Sequence, residues 1–224
     1  MKTETINYSD GSVYIGEVVD GSPNGQGART HPDGTGYIGE FRDNYYHGHG
    51  ILRWPDGSVY EGDWEDGKSN GQGTYSKPNG EKYIGEWKDD EPHGTGVYTW
   101  ANGDRYEGDF QRYERHGQAV LLPGGEFKGD KFVGEFRNDK MYKGTYTRGS
   151  RGSGGFEGDV FEGTFVSSQW ADGEYTFKDG RKFIGRVRWH PNIGPYDGIL
   201  YQKDGSEERI KPKLGFMKRL WKKD

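Results

Sequence analysis

The stretch Tyr60-Glu61-Gly62-Asp63-Trp64, the run Glu65 to Asn70, then Gly71-Gln72-Gly73-Thr74-Tyr75 and Pro78-Asn79-Gly80 together decide the fold. Tyr60, Gly62 and Trp64 alternate with Glu61 and Asp63, so rings and glycine share one face and carboxylates the other, as in a half-buried strand. The run 65–70 reads as a turn. Gly71, Gly73 and Tyr75 form a second alternating set, and Pro78 to Gly80 is the next turn. One such stretch is a β-hairpin.

The same pattern recurs on both sides. Tyr-x-Gly appears at Tyr14, Tyr37, Tyr60, Tyr83 and Tyr106, a spacing of 23 residues. Four residues after each Tyr stands Val18, Phe41, Trp64, Trp87 or Phe110, and Gly-x-Gly follows at Gly25/Gly27, Gly48/Gly50, Gly71/Gly73 and Gly94/Gly96. The fifth unit keeps Gly117 but has Ala119 at the second place. A fixed period of this kind marks a repeat architecture, and hairpins in series give an antiparallel meander. Beyond Tyr106 the spacing loosens: 127–136 and 156–165 are near copies, and a last unit begins at Phe183. The polar, glycine-rich runs 148–155 and 190–195 read as loops. Eight units result, with a half-repeat from Ile6 to Gly11 and a closing strand near Ser206 to Ile210.

Composition agrees. The 224 residues include 40 Gly and 34 aromatics (16 Tyr, 11 Phe, 7 Trp), while the net charge is −5. Aliphatics are too scarce for a helix bundle or a parallel α/β sheet, and the rings supply the missing apolar surface. Glycine pairs inside strands indicate that something approaches the backbone closely, here a ring from the adjoining strand. There is no cysteine, no apolar run of membrane-spanning length and no signal-peptide pattern near the first residue, so the expected setting is cytoplasmic, with a membrane surface as a further site.

Tyr-x-Gly-x-(Trp/Phe), then Gly-x-Gly and Asp/Asn-Gly at 23 residues resembles the MORN repeat family, closely over residues 14–122 and more loosely to about 205. The resemblance implies an all-β, elongated, twisted single-layer antiparallel β-meander. It also implies a role in interaction or assembly, and lipid binding has been proposed for the family. No room remains after residue 210 for the enzymatic domain that some relatives append. The expected organisation is a cap at 1–13, regular repeats at 14–126, divergent repeats and a closing strand at 127–210, and a tail at 211–224.

Four kinds of candidate site remain. His47, His93 and His116 share a repeat position, with His49 nearby. Equivalent positions lie two strands, or about 10 Å, apart, too far for one metal ion, so no metal or cofactor site is read and the histidines are expected to line turns. Glu17, Glu40, Asp63, Glu86, Asp109 and Glu135 form an acidic row. Paired carboxylates could serve a glycan-acting enzyme, but a row repeated on every unit lacks the uniqueness of an active site. No catalytic residue is therefore assigned, and the row reads as a solvated face or a stripe for a basic partner, unfavourable to nucleic acid. The ring face is expected to form a groove in which Tyr46, Trp54, Trp100 and Tyr113 grip a helix or peptide of a protein partner.

The tail breaks the pattern. Residues 211–224 carry six Lys/Arg against one Asp, hence +5, leaving 25 against 35, or −10, on the first 210. On a helix, Leu214, Phe216, Met217, Leu220 and Trp221 would fall on one side and Lys218, Arg219, Lys222 and Lys223 on the other. A short C-terminal amphipathic helix is therefore expected, either capping the last hairpin or anchoring the chain to anionic lipid. The expected function is a non-enzymatic protein-interaction scaffold, monomeric or paired end to end, with peripheral membrane binding as the alternative.

Overall fold

A computed structural model describes residues 2–149, 157–188 and 194–211. Their strands form one 18-stranded antiparallel sheet, accompanied by a single short 3₁₀ turn at Gly125–Phe127. The chain divides into two compact units, Met1–His116 and Gly117–Asp224. The first holds β1 (Lys2–Asn7), β2 (Val13–Val19), β3 (Ser22–Thr30), β4 (Gly36–Arg42), β5 (Tyr45–Arg53), β6 (Val59–Glu65), β7 (Lys68–Ser76), β8 (Lys82–Lys88), β9 (Glu91–Thr99) and β10 (Arg105–Gln111). Strand β11 (Glu114–Leu122) crosses the division. The second unit continues with β12 (Lys131–Arg137), β13 (Lys140–Thr147), β14 (Val160–Phe165), β15 (Trp170–Thr176), β16 (Lys182–Arg188), β17 (Gly194–Tyr201) and β18 (Glu207–Ile210). Eight hairpins lie between β1 and β18. The first strand begins at Lys2, earlier than the half-repeat read from Ile6. The helix expected over 211–224 falls, from residue 212 on, outside the described residues.

The hairpin turns are tighter than the sequence reading had them. In place of a six-residue turn at 65–70, only Asp66 and Gly67 turn the chain, at φ of 49° and 86°, and Lys68 already belongs to β7. Positive φ at both central positions is the two-residue turn whose twist matches that of paired strands. Asp20-Gly21, Asp43-Asn44, Asp89-Asp90, Arg112-Tyr113 and Asn138-Asp139 do the same. The residues assigned to the longer turn are absorbed further on by a bulge. Pairing slips between Gly62 and Trp64, and Gly71 sits at φ 90°, a left-handed conformation that a side chain would strain.

In the first unit the second glycine of each pair and the Tyr-x-Gly glycine stand in register. Gly16, Gly27, Gly39, Gly50, Gly62, Gly73, Gly85, Gly96 and Gly108 are successive cross-strand neighbours from β2 to β10. Over this backbone floor lie Tyr14, Tyr37, Tyr60, Tyr83 and Tyr106, all buried. A Cβ on Gly50 would come 2.6 Å from Cε2 of Tyr37, which is closer than atoms can pack.

The rings interlock. Phe41 meets Tyr14 edge-on at 4.8 Å and Tyr37 at 5.2 Å; Trp64 meets Tyr37 at 5.4 Å and Tyr60 at 5.0 Å; Trp87 meets Tyr60 and Tyr83 at 5.1 Å; Phe110 meets Tyr83 at 5.1 Å and Tyr106 at 5.0 Å. Each such pair contributes about 0.5–1.5 kcal/mol beyond the area it buries. The core of this unit is thus a continuous edge-to-face ladder. In the second unit Phe136, Phe132, Phe165 and Phe161 continue the motif among themselves at 5.4–5.5 Å.

Gly50→Ala is therefore expected to destabilise the chain by about 1–3 kcal/mol, the usual range for overpacking. Alanine at Gly80, whose Cβ would meet no atom within 4 Å, tests only the cost of its φ of 92°. Denaturant midpoints of the two variants measure the difference, and Gly50→Ala should lose more.

Candidate functional site

Each buried Tyr must satisfy its hydroxyl. Tyr14, Tyr37, Tyr60, Tyr83 and Tyr106 donate to the backbone carbonyls of Glu17, Glu40, Asp63, Glu86 and Asp109 at 2.6–3.0 Å. Burial pushes the hydroxyls of Tyr37, Tyr60 and Tyr83 well above the ordinary phenol range, so they remain protonated donors. The carbonyls of His47, His93 and His116 accept a second, longer bond from the same hydroxyls at 3.1–3.4 Å. The shared histidine position thus contributes backbone to the ring floor. Among the described residues no group of three or more His, Asp or Glu side chains could hold one metal ion.

The acidic row is tied to the same bulges. Where pairing slips, an amide on the facing strand is left without a ladder partner, and the carboxylate takes it. Gln26 N donates to Glu17 at 2.7 Å, His49 N to Glu40 at 3.4 Å, Gln72 N to Asp63 at 3.0 Å and Thr95 N to Glu86 at 3.1 Å, with the Thr95 hydroxyl adding 2.8 Å. These bonds hold the Glu86 carboxyl below the usual carboxylate range. Asp109 and Glu135 are half-buried like the others, and Glu135 pairs with Arg137. The row is therefore part of the hairpin's hydrogen bonding as well as a charged face.

Of the four groove candidates, three are built into the ring face as a second tier. Tyr46 stacks on Tyr37 at 3.8 Å and shares a hydrogen bond with His31 at 3.2 Å. Trp54 meets Tyr75 edge-on at 5.7 Å, and Trp100 leans on Tyr98 at 4.6 Å with Arg115 above it at 5.5 Å. All three stay half-exposed. Tyr113 differs: it is 61% exposed at a turn tip, and its hydroxyl donates to the Asp90 carbonyl at 2.9 Å. The sequence reading passed over Tyr45, 58% exposed, which lies against Gly67 of the next turn. It also passed over Arg29, whose guanidinium stands over Tyr8 at 4.9 Å and bonds its hydroxyl at 3.0 Å. The tail candidates Phe216, Met217, Lys218, Arg219, Leu220, Trp221, Lys222 and Lys223 lie outside the described residues.

In the second unit a shallow recess of ≈ 530 Å³ is lined by Asp172, Ile184, Arg186, Asp197, Ile199 and Arg209. Its charges satisfy one another, Arg186 with Asp172 and Arg209 with Asp197, both at 2.8 Å.

The repeat signature now has a physical role for every position: ring, glycine floor, carboxylate at the bulge, second ring, bulge glycine, turn pair. The sequence profile of the MORN repeat matches residues 14–36, 37–59, 60–82, 83–105 and 106–122. Residues 14–122 are MORN repeats. All four groove candidates and five of the six acidic-row residues fall inside these repeats. A search of curated protein sequences returns no match. Among solved structures, a mutant TCP10 domain of CPAP from Danio rerio shares 15% identity with a TM-score of 0.41, covering 94% of this chain and 99% of that one. The wild-type domain bound to a STIL peptide from the same organism gives 15% and 0.38, with 95% and 100% coverage. The SAS-4 (dCPAP) TCP domain of Drosophila melanogaster gives 12% and 0.33, with 92% and 87%.

The lowered Glu86 carboxyl fixes a sign. Its contribution to stability is fully present above the unfolded carboxylate value of about 4.3 and is lost as pH falls through its lower folded value. Glu86→Gln, which is uncharged like the protonated acid at every pH, is expected to lower the neutral-pH midpoint and leave the acid end nearly unchanged, so that the acid limb of the stability curve flattens. Thermal unfolding followed from pH 7 down to about pH 3 checks both halves of that expectation.

Proposed function

We propose that the chain is a non-enzymatic scaffold that holds a helix or peptide of a protein partner on the ring-bearing face of its MORN repeats. The observation that carries this reading is the second tier of rings. Tyr46, Trp54 and Trp100 rest on packed rings below and keep one side toward solvent. Aromatic anchors already locked by packing lose little freedom when a partner covers them, and such anchors dominate protein-binding energetics. Tyr113 and Tyr45 extend the set at the turn tips. A side chain lying across the ladder would meet aromatic surface at each repeat, which suits an apolar helix or an extended segment with apolar residues at regular intervals. A binding role needs no bond making, and no candidate acid or base in the first unit stands apart from the repeat pattern.

Affinity capture with the full chain and with a Trp54→Ala, Trp100→Ala variant tests the reading. Partners retained by the parent should be lost from the variant by a factor of ten or more, while far-UV spectra show the sheet intact. An unchanged set of partners would remove the ring face as the binding surface.

The charge split, −10 on residues 1–210 and +5 on 211–224, supports a second reading, in which the tail draws the chain to an anionic membrane surface. Vesicles with and without anionic lipid separate it from the first. Sedimentation with the anionic vesicles should disappear when Lys218, Arg219, Lys222 and Lys223 are changed to Glu, and sedimentation that persists rules out the tail as the anchor.

A further inference from the structure

The face of the first unit opposite the rings carries a row that the ring-face reading does not use. Cross-strand register sets Ile15, Ala28, Ile38 and Ile51 side by side on β2 to β5. Ile15 is 55% and Ile38 64% exposed. Within this unit, substantial contacts between elements run only from each strand to its chain neighbours, so none of the unit's own described elements forms a second layer over the row. With strands about 4.8 Å apart, the four positions make a strip about 14 Å long. Soluble chains seldom leave such a run of aliphatics open without a use for it.

The flank of the strip is charged and fixed in place. On the same face, Glu17 and Glu40 stand two residues beyond Ile15 and Ile38 on β2 and β4, and Asp63 stands on the adjoining β6, each pinned by the facing amide of Gln26, His49 or Gln72. A complementary ligand has apolar side chains for the strip and cations for the flank. The chain itself contains that chemistry in residues 211–224, where Leu214, Phe216, Met217, Leu220 and Trp221 accompany six Lys/Arg and one Asp.

We propose that the 211–224 tail of one copy docks on the Ile15–Ile51 strip of a second copy, apolar on apolar, with its Lys and Arg against Glu17, Glu40 and Asp63. The two contacting surfaces differ, so the contact is heterologous. Each added copy leaves a free strip at one end and a free tail at the other, and association is open-ended. The face involved is the one opposite the rings, so failure here leaves the ring-face reading standing, and the reverse also holds.

Sedimentation velocity of the full chain over a wide concentration range tests the proposal. The average mass of the parent should rise with concentration and fall with added salt, as screening weakens the charged flank. Two variants dissect it: Ile15→Ser with Ile38→Ser, which alters only exposed side chains, and a tail with Lys218, Arg219 and Lys222 changed to Glu. Each alone should associate at least tenfold more weakly. Mixed, they should form a species of two copies and no larger, because the first supplies an intact tail and the second an intact strip. A parent that stays single at all concentrations overturns the proposal, including one whose tail amides are protected from exchange independently of concentration, the sign of a tail docked on its own copy. Association that survives in the Ile variant, or a mixture that stays unassociated, overturns it equally.

Discussion

Everything in this fold follows from having to bury aromatic rings against a sheet over which the described residues place no second layer. In a sandwich or an α/β protein the rings would meet side chains from another element. Here they can only lie down on the backbone of their own sheet, and that works only where the backbone carries no Cβ. The row from Gly16 to Gly108 is therefore a floor, and its glycines are fixed by the rings above them. Entropy lost by placing glycine in strand interiors, about 0.5–1 kcal/mol per residue against alanine, is offset by the ring contacts the floor permits.

A ring lying on backbone brings its hydroxyl to the backbone too. Each Tyr hydroxyl reaches the carbonyl three residues on, which is available because the strand pairing slips at that point. The slip in turn leaves an amide uncovered on the facing strand, and the carboxylate beside the carbonyl covers it. Ring, bulge and acid are thus one coupled device. The acid occupies an outward position because the bulge has to be closed from that side, and its charge on the outer face is a consequence. A row of carboxylates in a repeat protein need not have been placed there for a ligand.

Much of this was legible in the sequence. The 23-residue period, the alternation in Tyr60 to Trp64 and the pairing of rings with glycines gave the hairpins, their number and the ring-over-glycine packing. Turn lengths were not legible, because Asp66-Gly67 and the bulge at Gly71 share one polar run and only backbone conformation divides it. The aliphatic row on the second face went unread for a different reason. Only Tyr60-Glu61-Gly62-Asp63-Trp64 was read for both faces, and there the position after the Tyr is Glu61, whereas the same position holds Ile15, Ile38 and Ile84 in other repeats. Reading the column across repeats, instead of along one repeat, would have exposed the aliphatic strip. Whether Trp54 and Trp100 stood free or leaned on Tyr75 and Tyr98 depended on side-chain packing that spacing does not encode.

The second unit shows what happens when the device is altered. Phe132, Phe161 and Phe183 replace the Tyr of the regular repeats, so no hydroxyl comes from the first strand. It comes instead from the second, as Tyr146 and Tyr175, which lie opposite Phe132 and Phe161. These rings are buried too, and burial pushes the Tyr146 hydroxyl up to about 12. The acceptor is a buried carboxylate sixteen residues earlier: Asp130 for Tyr146, and Asp159 for Tyr175 at 2.5 Å. A carboxylate in such a place is tolerable only when its oxygens are bonded. The second oxygen takes an amide, Gly149 N on Asp130 at 2.9 Å and Lys178 N on Asp159 at 2.7 Å. One exchange of Tyr for Phe therefore brings with it a buried Asp and ties residues nineteen apart in sequence.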